Sequence, residues 1–297
     1  KLGGSFFWSR MKRSLNKIIA PESHFFSEAE ALTSYHHMQK ENTITWIGQA
    51  SFLIKVDNKV ILTDPFFDEH TDPFGFIQRF KPPGIMAKNL PPIDAIVISH
   101  NHRDHLSEAI IKSLPNKEQI QVLVLLKLKS YFAEKGYAKI NELDWYDSAS
   151  MGDLQVTSLP AVHYSGRSLW DKNETLWCSW AISSKSAKVY FSGDTAYSAT
   201  LFKEIGQKIG PFDLSLITIG TYGNKKYGVN NHADPEEAVQ IGIEIGTNIF
   251  VGMHWGTLDL SDEPPWEPPG RFKKTLQDAG ITLDRSWVLK IGETRAF

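Results

Sequence analysis

The run Ser99-His100-Asn101-His102-Arg103-Asp104-His105 constrains this chain more than any other stretch. It places three imidazoles and a carboxylate within six positions, directly after the apolar run Ile93 to Ile98. Neutral imidazole and carboxylate are the ligands that suit zinc and neighbouring first-row metals, and a loop leaving a buried strand can aim them into one cavity. His100 and His102 lie two apart, as on one side of an extended segment, whereas Asp104 and His105 fall where the chain turns into a helix beginning near Leu106. Two adjacent metal subsites are expected. A polar loop that merely happens to hold histidine is the alternative, but with only ten histidines in 297 residues chance accounts poorly for three in one loop.

A dinuclear site needs more ligands than this loop supplies, and three further apolar runs each end in one. His163 follows Leu154 to Val162, Asp194 follows Val189 to Gly193, and His254 follows Ile249 to Met253. Each alone reads as a core-edge histidine or a turn aspartate. Together with the first loop they form a candidate ligand set.

These motifs resemble the metallo-β-lactamase superfamily, whose HxHxDH motif, later histidine, aspartate and final histidine occur here in the same order. Within it the chain is similar to the N-acyl-phosphatidylethanolamine-hydrolysing phospholipase D family. The phrases carrying that narrower likeness are Leu90 to Ala95 running into Ser99 to His102, His163 to Ser168 with Leu176 to Trp180, Phe191 to Thr195, His232 to Ala238, and His254 to Thr257. They span about Thr43 to Phe297. Arg103 stands where relatives often carry an aromatic residue, and Cys178 where a small one is usual.

The resemblance implies that His100, His102 and His163 bind one zinc, that Asp104, His105 and His254 bind a second, and that Asp194 bridges them. It also places Asp104 and His232 among the catalytic residues, with a hydroxide shared between the cations as nucleophile. The activity implied is a phospholipase D-type phosphodiesterase that hydrolyses N-acyl-phosphatidylethanolamine-like lipids to an N-acylethanolamine and a phosphatidic acid. The cofactors are then two Zn2+, although Mn2+ or iron accepts the same ligands. A lactonase or another soluble phosphoester hydrolase of the superfamily is one alternative, and a non-catalytic lipid- or metal-binding module another. The resembled enzymes are often homodimers, so a homodimer and a phospholipid-like substrate are the expected partners.

His232 precedes Asp234-Pro235-Glu236-Glu237-Ala238, which reads as a capped helix start. Near the metals it could contact a phosphate oxygen or hand a proton to the leaving alkoxide; packing ahead of the helix is its simpler role. Arg167 could bind phosphate or make an exposed salt bridge. Thr63, Asp64 and Thr195 are candidates for supporting the ligands through hydrogen bonds.

The net charge of −2 and pI near 6.6 lack the basic footprint of a nucleic-acid binder. The single Cys178, between Trp177 and Trp180, cannot form an internal disulfide and reads as buried. The order of elements fits an α+β fold, a four-layer αββα sandwich, with an N-terminal extension at residues 1–40 and one hydrolase domain at 41–297. Strands are expected at Thr43 to Val56, Lys59 to Asp64, Ala95 to Ser99, Gln121 to Leu126, Leu154 to Val162, Trp177 to Ser183, Ala187 to Phe191, Leu214 to Ile219, Ile249 to Met253 and Trp287 to Leu289. Helices are expected at Ser107 to Leu114, Lys127 to Lys135, Ala199 to Ile209, Pro235 to Glu244 and Gly270 to Ala279.

The stretch Phe66 to Pro92 reads as a long loop near the site, in which Phe74, Phe76, Ile77 and Phe80 either line an acyl-chain groove or plug the loop's underside. Phe6, Phe7 and Trp8 beside Arg10, Lys12, Arg13 and Lys17 mix aromatic anchors with cations, as an interfacial helix facing a membrane or partner does. No apolar run is long enough to span a bilayer. The chain starts at Lys1 rather than Met, so an upstream signal or anchor can precede it, and localisation stays open between soluble and peripheral.

Overall fold

The computed structural model describes residues 18–72, 74–168 and 170–297. The aromatic and basic cluster from Phe6 to Lys17 lies outside them.

Strands β1 (Thr43–Gly48), β2 (Ser51–Val56), β3 (Lys59–Thr63), β4 (Ala95–Val97), β5 (Gln121–Leu125), β6 (Lys139–Leu143) and β14 (Thr294–Ala296) form one seven-stranded sheet in the order β14-β1-β2-β3-β4-β5-β6. The second sheet runs β13-β12-β11-β10-β9-β8-β7, from β7 (Ser148–Met151), β8 (Leu154–Leu159), β9 (Ser179–Ser183), β10 (Lys188–Phe191), β11 (Phe212–Thr218), β12 (Thr247–Met253) and β13 (Ser286–Trp287). Each sheet is mixed, with an antiparallel part and a parallel part. Parallel pairing needs crossovers, and α-helices supply all but the one from β3 to β4. Helices α1 (Glu28–His37), α2 (Glu108–Ser113) and α3 (Lys129–Ala133) belong to the first half, and α4 (Ala199–Lys208), α5 (Pro235–Glu244) and α6 (Pro268–Asp278) to the second.

Side chains alternate across the first sheet as the pleat requires. Trp46, Phe52, Ile54, Ile61, Val97 and Leu123 face the second sheet, where they meet Trp180, Val189 and Phe191. Their neighbours Leu53, Leu62, Ile96, Val122 and Val124 face outward and are covered by Ala31, Tyr35, Ile111 and Phe132 of the helices. The result is the αββα sandwich. Among the described residues no helix is long and apolar enough to cross a membrane.

The expected strand from Thr43 to Val56 is two strands, because the chain reverses at Gly48-Gln49, both with positive φ. Every residue of β1 and β2 is buried, so no polar break betrays the turn. Helix α1 and strands β6, β7 and β14 were not expected from the sequence.

Residues 20–37 pack onto the sandwich. His24 is buried among Trp46, Trp255 and Trp266, with ring centroids 5.8, 4.5 and 5.0 Å away, and its Nε2 lies 2.8 Å from the Gly256 carbonyl. This contact braces the turn that follows His254. Desolvation lowers the His24 pKa to about 4, against the opposing pull of the Gly256 carbonyl. An unfolded chain protonates this histidine near its ordinary 6.5, so acid favours unfolding between those two values. We expect the stability advantage of wild type over His24→Gln to shrink by about 3 kcal/mol between about pH 7.5 and about pH 4. Urea unfolding of both proteins across that range checks this, and parallel curves would refute it.

Candidate metal centre

The ligand loops all leave the same rim of the sandwich, because β8, β10, β11 and β12 run in one direction and β4 delivers the first loop opposite them. Gly193, with φ +52, lets two of these loops touch: a Cβ there would lie 2.4 Å from the Ser99 Cβ. Thr195 ties three of them. Its Oγ1 accepts from Val162 N at 3.0 Å, its carbonyl accepts from Ala233 N at 2.7 Å, and Ala196 N donates to the Val162 carbonyl at 2.8 Å.

Two clusters result. In the first, His102 Nδ1 lies 2.7 Å from His100 Nε2 and 3.3 Å from His163 Nε2, with Asp194 Oδ2 3.8 and 3.7 Å from the latter two nitrogens. In the second, His105 Nε2 and His254 Nε2 are 3.1 Å apart, and Asp104 Oδ2 is 3.5 and 3.3 Å from them. Asp194 spans both clusters, since Oδ2 is 3.0 Å from His105 Nε2 and Oδ1 is 3.2 Å from His254 Nε2. The structure therefore brings all seven of these residues together, in the two groups that the resemblance implied.

The outer nitrogens show that the donors suit a cation. Ser99 Oγ donates to Asp64, so it accepts from His100 Nδ1 at 2.9 Å; the Asn231 carbonyl accepts from His163 Nδ1 at 2.9 Å. Both Nε2 atoms are left as bare lone pairs facing the same space. Burial holds these imidazoles neutral, pulling His100 well below its ordinary value, His102 to about 4 and His163 to about 3. Neutral imidazole is the form that binds a metal. Donor atoms about 3.3 Å apart are what a tetrahedral ion with bonds of about 2.0–2.1 Å requires. Asp194 Oδ1, fully buried, has no hydrogen-bond partner to compete for it.

Asp64 is the main support beneath the ligands. It is fully buried, accepts from the Ser99 amide at 2.7 Å and the Ser99 hydroxyl, and lies 2.7 Å from His105 Nδ1. Burial pushes its carboxyl up, against the pull of His105 and Ser99. Burial pulls His105 down, yet the carboxylates of Asp194 and Asp104 outweigh it and raise this imidazole well above its ordinary value. With Nδ1 2.7 Å from the Asp64 carboxylate, that nitrogen is the one that donates, and Nε2 is the one that faces the second cluster. Thr63 turns elsewhere, bridging Ala50 and Phe52.

His232 is buried beside the clusters, its ring 5.1 Å from that of His163 and 5.4 Å from that of His254. Its Nδ1 is 3.8 Å from Asp194 Oδ2 and lacks a hydrogen-bond partner, and burial lowers its pKa to about 3. Asp234 does cap α5, through a full capping box with Glu237. Arg167 lines the pocket, but its Nη1 donates to the Asn101 and Leu106 carbonyls at 3.0 and 2.7 Å, clasping the loop that carries His102 to His105. Cys178 is buried and its thiol is pushed up by desolvation.

Sequence reasoning missed Gln49 and Thr221. Thr221 Oγ1 lies 3.2 Å from His254 Nδ1, and Gln49 Nε2 lies 2.9 Å from Asp104 Oδ2. Both have positive φ, as does His254 at 62°. Such strain concentrates at functional sites.

The clusters open into a pocket of about 360 Å³ lined also by Asp72, Arg103, Tyr164, Asn224 and Leu260. A larger groove of about 1110 Å³, lined by Leu90, Pro92, Pro115 and Lys139, contains none of the clustered residues. If Asp64 orients His105 as described, Asp64→Ala should weaken zinc binding about 10- to 100-fold. Competition with a chromophoric chelator measures this, and unchanged affinity would refute the role.

A family profile described as a beta-lactamase superfamily domain matches residues 59–255. An uncharacterized protein of Mycobacterium tuberculosis is 36% identical over 81% of this chain, which spans 65% of that relative's length. The N-acyl-phosphatidylethanolamine-hydrolyzing phospholipase D 1 of Caenorhabditis elegans is 32% identical over 85% of this chain and 74% of its own. A solved metallo hydrolase from Ignicoccus hospitalis has a similar fold, with a TM-score of 0.62, 22% identity and coverage of 86% of this chain and 97% of its own. The chain therefore belongs to the beta-lactamase superfamily and is related to the N-acyl-phosphatidylethanolamine-hydrolysing phospholipases D.

Proposed function

We propose that this chain is a zinc phosphodiesterase of phospholipase D type, acting on N-acyl-phosphatidylethanolamine-like lipids. Water is consumed, the bond between phosphorus and the ethanolamine oxygen breaks, and an N-acylethanolamine and a phosphatidic acid leave. The observation that carries this reading is the likeness to the Caenorhabditis elegans phospholipase D, over most of both chains, together with a filled set of seven ligands.

When bound, two such cations supply an activated water near neutral pH and offset charge developing on a phosphoryl oxygen. The chain's own residues do the rest. His232, held neutral by burial, presents its unpartnered Nδ1 to the same space, where it accepts the proton given up by the attacking water and returns it to the leaving alkoxide. Arg167 and Asp64 keep the ligand loop in place from behind.

The rim favours a lipid over a water-soluble ester. Phe74, Trp170, Tyr227 and Val229 are exposed, at 76, 87, 55 and 43%, on the three loops that also carry Asp72, Arg167 and Asn231 of the pocket wall. Aromatic side chains exposed on loops that reach the pocket wall are suited to the boundary between water and acyl chains, so we assign the chain a peripheral membrane contact on these loops. Phe80 does not join this rim; it packs on Trp266, with centroids 5.4 Å apart.

Zinc-loaded protein should release N-acylethanolamine from N-acyl phospholipid vesicles. Chelation should abolish this, and Asp194→Asn should lower it at least about 100-fold. Turnover of lactones or nucleotide diesters with none of the phospholipid would overturn the lipid reading. Separately, replacing Phe74 and Trp170 by serine should raise KM for vesicles several-fold while leaving kcat for a short-chain soluble diester unchanged. An equal loss on both substrates would argue against the membrane contact.

A further inference from the structure

Gln49 holds a place that none of the reasoning about ligands assigns. It is 1% exposed, stands in the turn between β1 and β2 with φ 55°, and is bonded on every side. Its amide N donates to Thr257 Oγ1 at 2.8 Å, and its carbonyl accepts from Trp46 Nε1 at 3.0 Å and from the His254 amide at 3.2 Å. Its side-chain Nε2 lies 2.9 Å from Asp104 Oδ2 and 2.8 Å from His254 Nε2.

Two of the three ligands peculiar to the second cluster, Asp104 and His254, are thus fixed to one residue, one through its side chain and the other through its main chain. Asp104 arrives on the loop after β4 and His254 on the loop after β12, in opposite sheets. Nothing in the sequence separation brings them to a common distance, so something must set it. Among the described residues, Gln49 is the only hydrogen-bond donor outside the ligand set that reaches Asp104. The third ligand, His105, has Asp64 for that purpose, and the first cluster uses Ser99 and Asn231.

We infer that Gln49 is a positioning residue for the second cation alone: its amide N–H holds the Asp104 carboxylate in register with His254 and sets the affinity of that subsite. This rests on the two-cation reading above. A cation takes the His254 Nε2 lone pair, so the amide's remaining bond is to Asp104, whose oxygen has lone pairs for both partners. Hydrogen bonds behind metal ligands commonly govern affinity 10- to 100-fold.

The test uses the whole chain, stripped with chelator and dialysed against stepped free zinc, with bound zinc measured by metal analysis. Gln49→Asn tolerates the left-handed backbone but is one methylene too short, and Gln49→Met keeps the volume without a donor. Both should bind the first ion as wild type does and the second about 10- to 100-fold more weakly. Near-UV circular dichroism should match wild type. At saturating cobalt(II) the visible absorption should also keep its wild-type intensity, because no ligand has been removed. Two equal, wild-type-like affinities in both variants would overturn the inference, as would equal loss of both ions. A changed cobalt spectrum at saturation would overturn the donor role in favour of direct ligation. Failure of the wild-type chain to bind a second ion would sink the two-cation reading itself.

Discussion

Imidazole nitrogens with free lone pairs repel one another, and so do carboxylates; a folded chain brings them together only where positive charge offsets the conflict. Here His100 Nε2 and His102 Nδ1 are 2.7 Å apart, His105 and His254 face each other at 3.1 Å, and Asp194 spans the two groups. That concentration of electron-rich atoms is the constraint the rest of the molecule serves. Strand directions place the loops on one rim, small residues let them touch, and buried polar groups fix which nitrogen of each ring points inward. Gly193, Thr195 and Asp64 show how much of the surrounding structure is given to this purpose.

The clustered residues were legible in the sequence because they lie on loops that follow apolar runs, and a strand buried on both faces announces itself as such a run. The groups behind them were legible only in part. Asp64 follows the apolar run of β3 and was singled out with Thr63, yet only the aspartate turns towards the ligands. Gln49 was hidden, since the segment from Thr43 to Val56 is buried throughout and the reversal at Gly48 leaves no polar gap. The edge strands β6 and β7 were missed because about half their residues are exposed and polar, and pairing with their sequence neighbours β5 and β8 makes them strands at all. Helix α1 did carry a signal: Ser27 and Glu30 form a capping box, the S-x-x-E spacing of a helix start.

Arg167 illustrates a limit of residue-type reasoning. A guanidinium near a phosphate-binding pocket invites the role of anion receptor, and its chemistry allows that. The same fork of donors also suits main-chain carbonyls, and here Nη1 takes two of them. The side chain's effect on the pocket passes through the loop it holds.

The first cluster and the second both draw from the two halves of the sandwich. The loop after β4 supplies His100, His102, Asp104 and His105, while the opposite sheet supplies His163, Asp194 and His254. Any ion seated among them is consequently a rivet through the seam between the layers. Affinity for the ion and adhesion between the layers become one quantity, so whatever loosens the seam, however remote from the rim, must also loosen the grip on the metal.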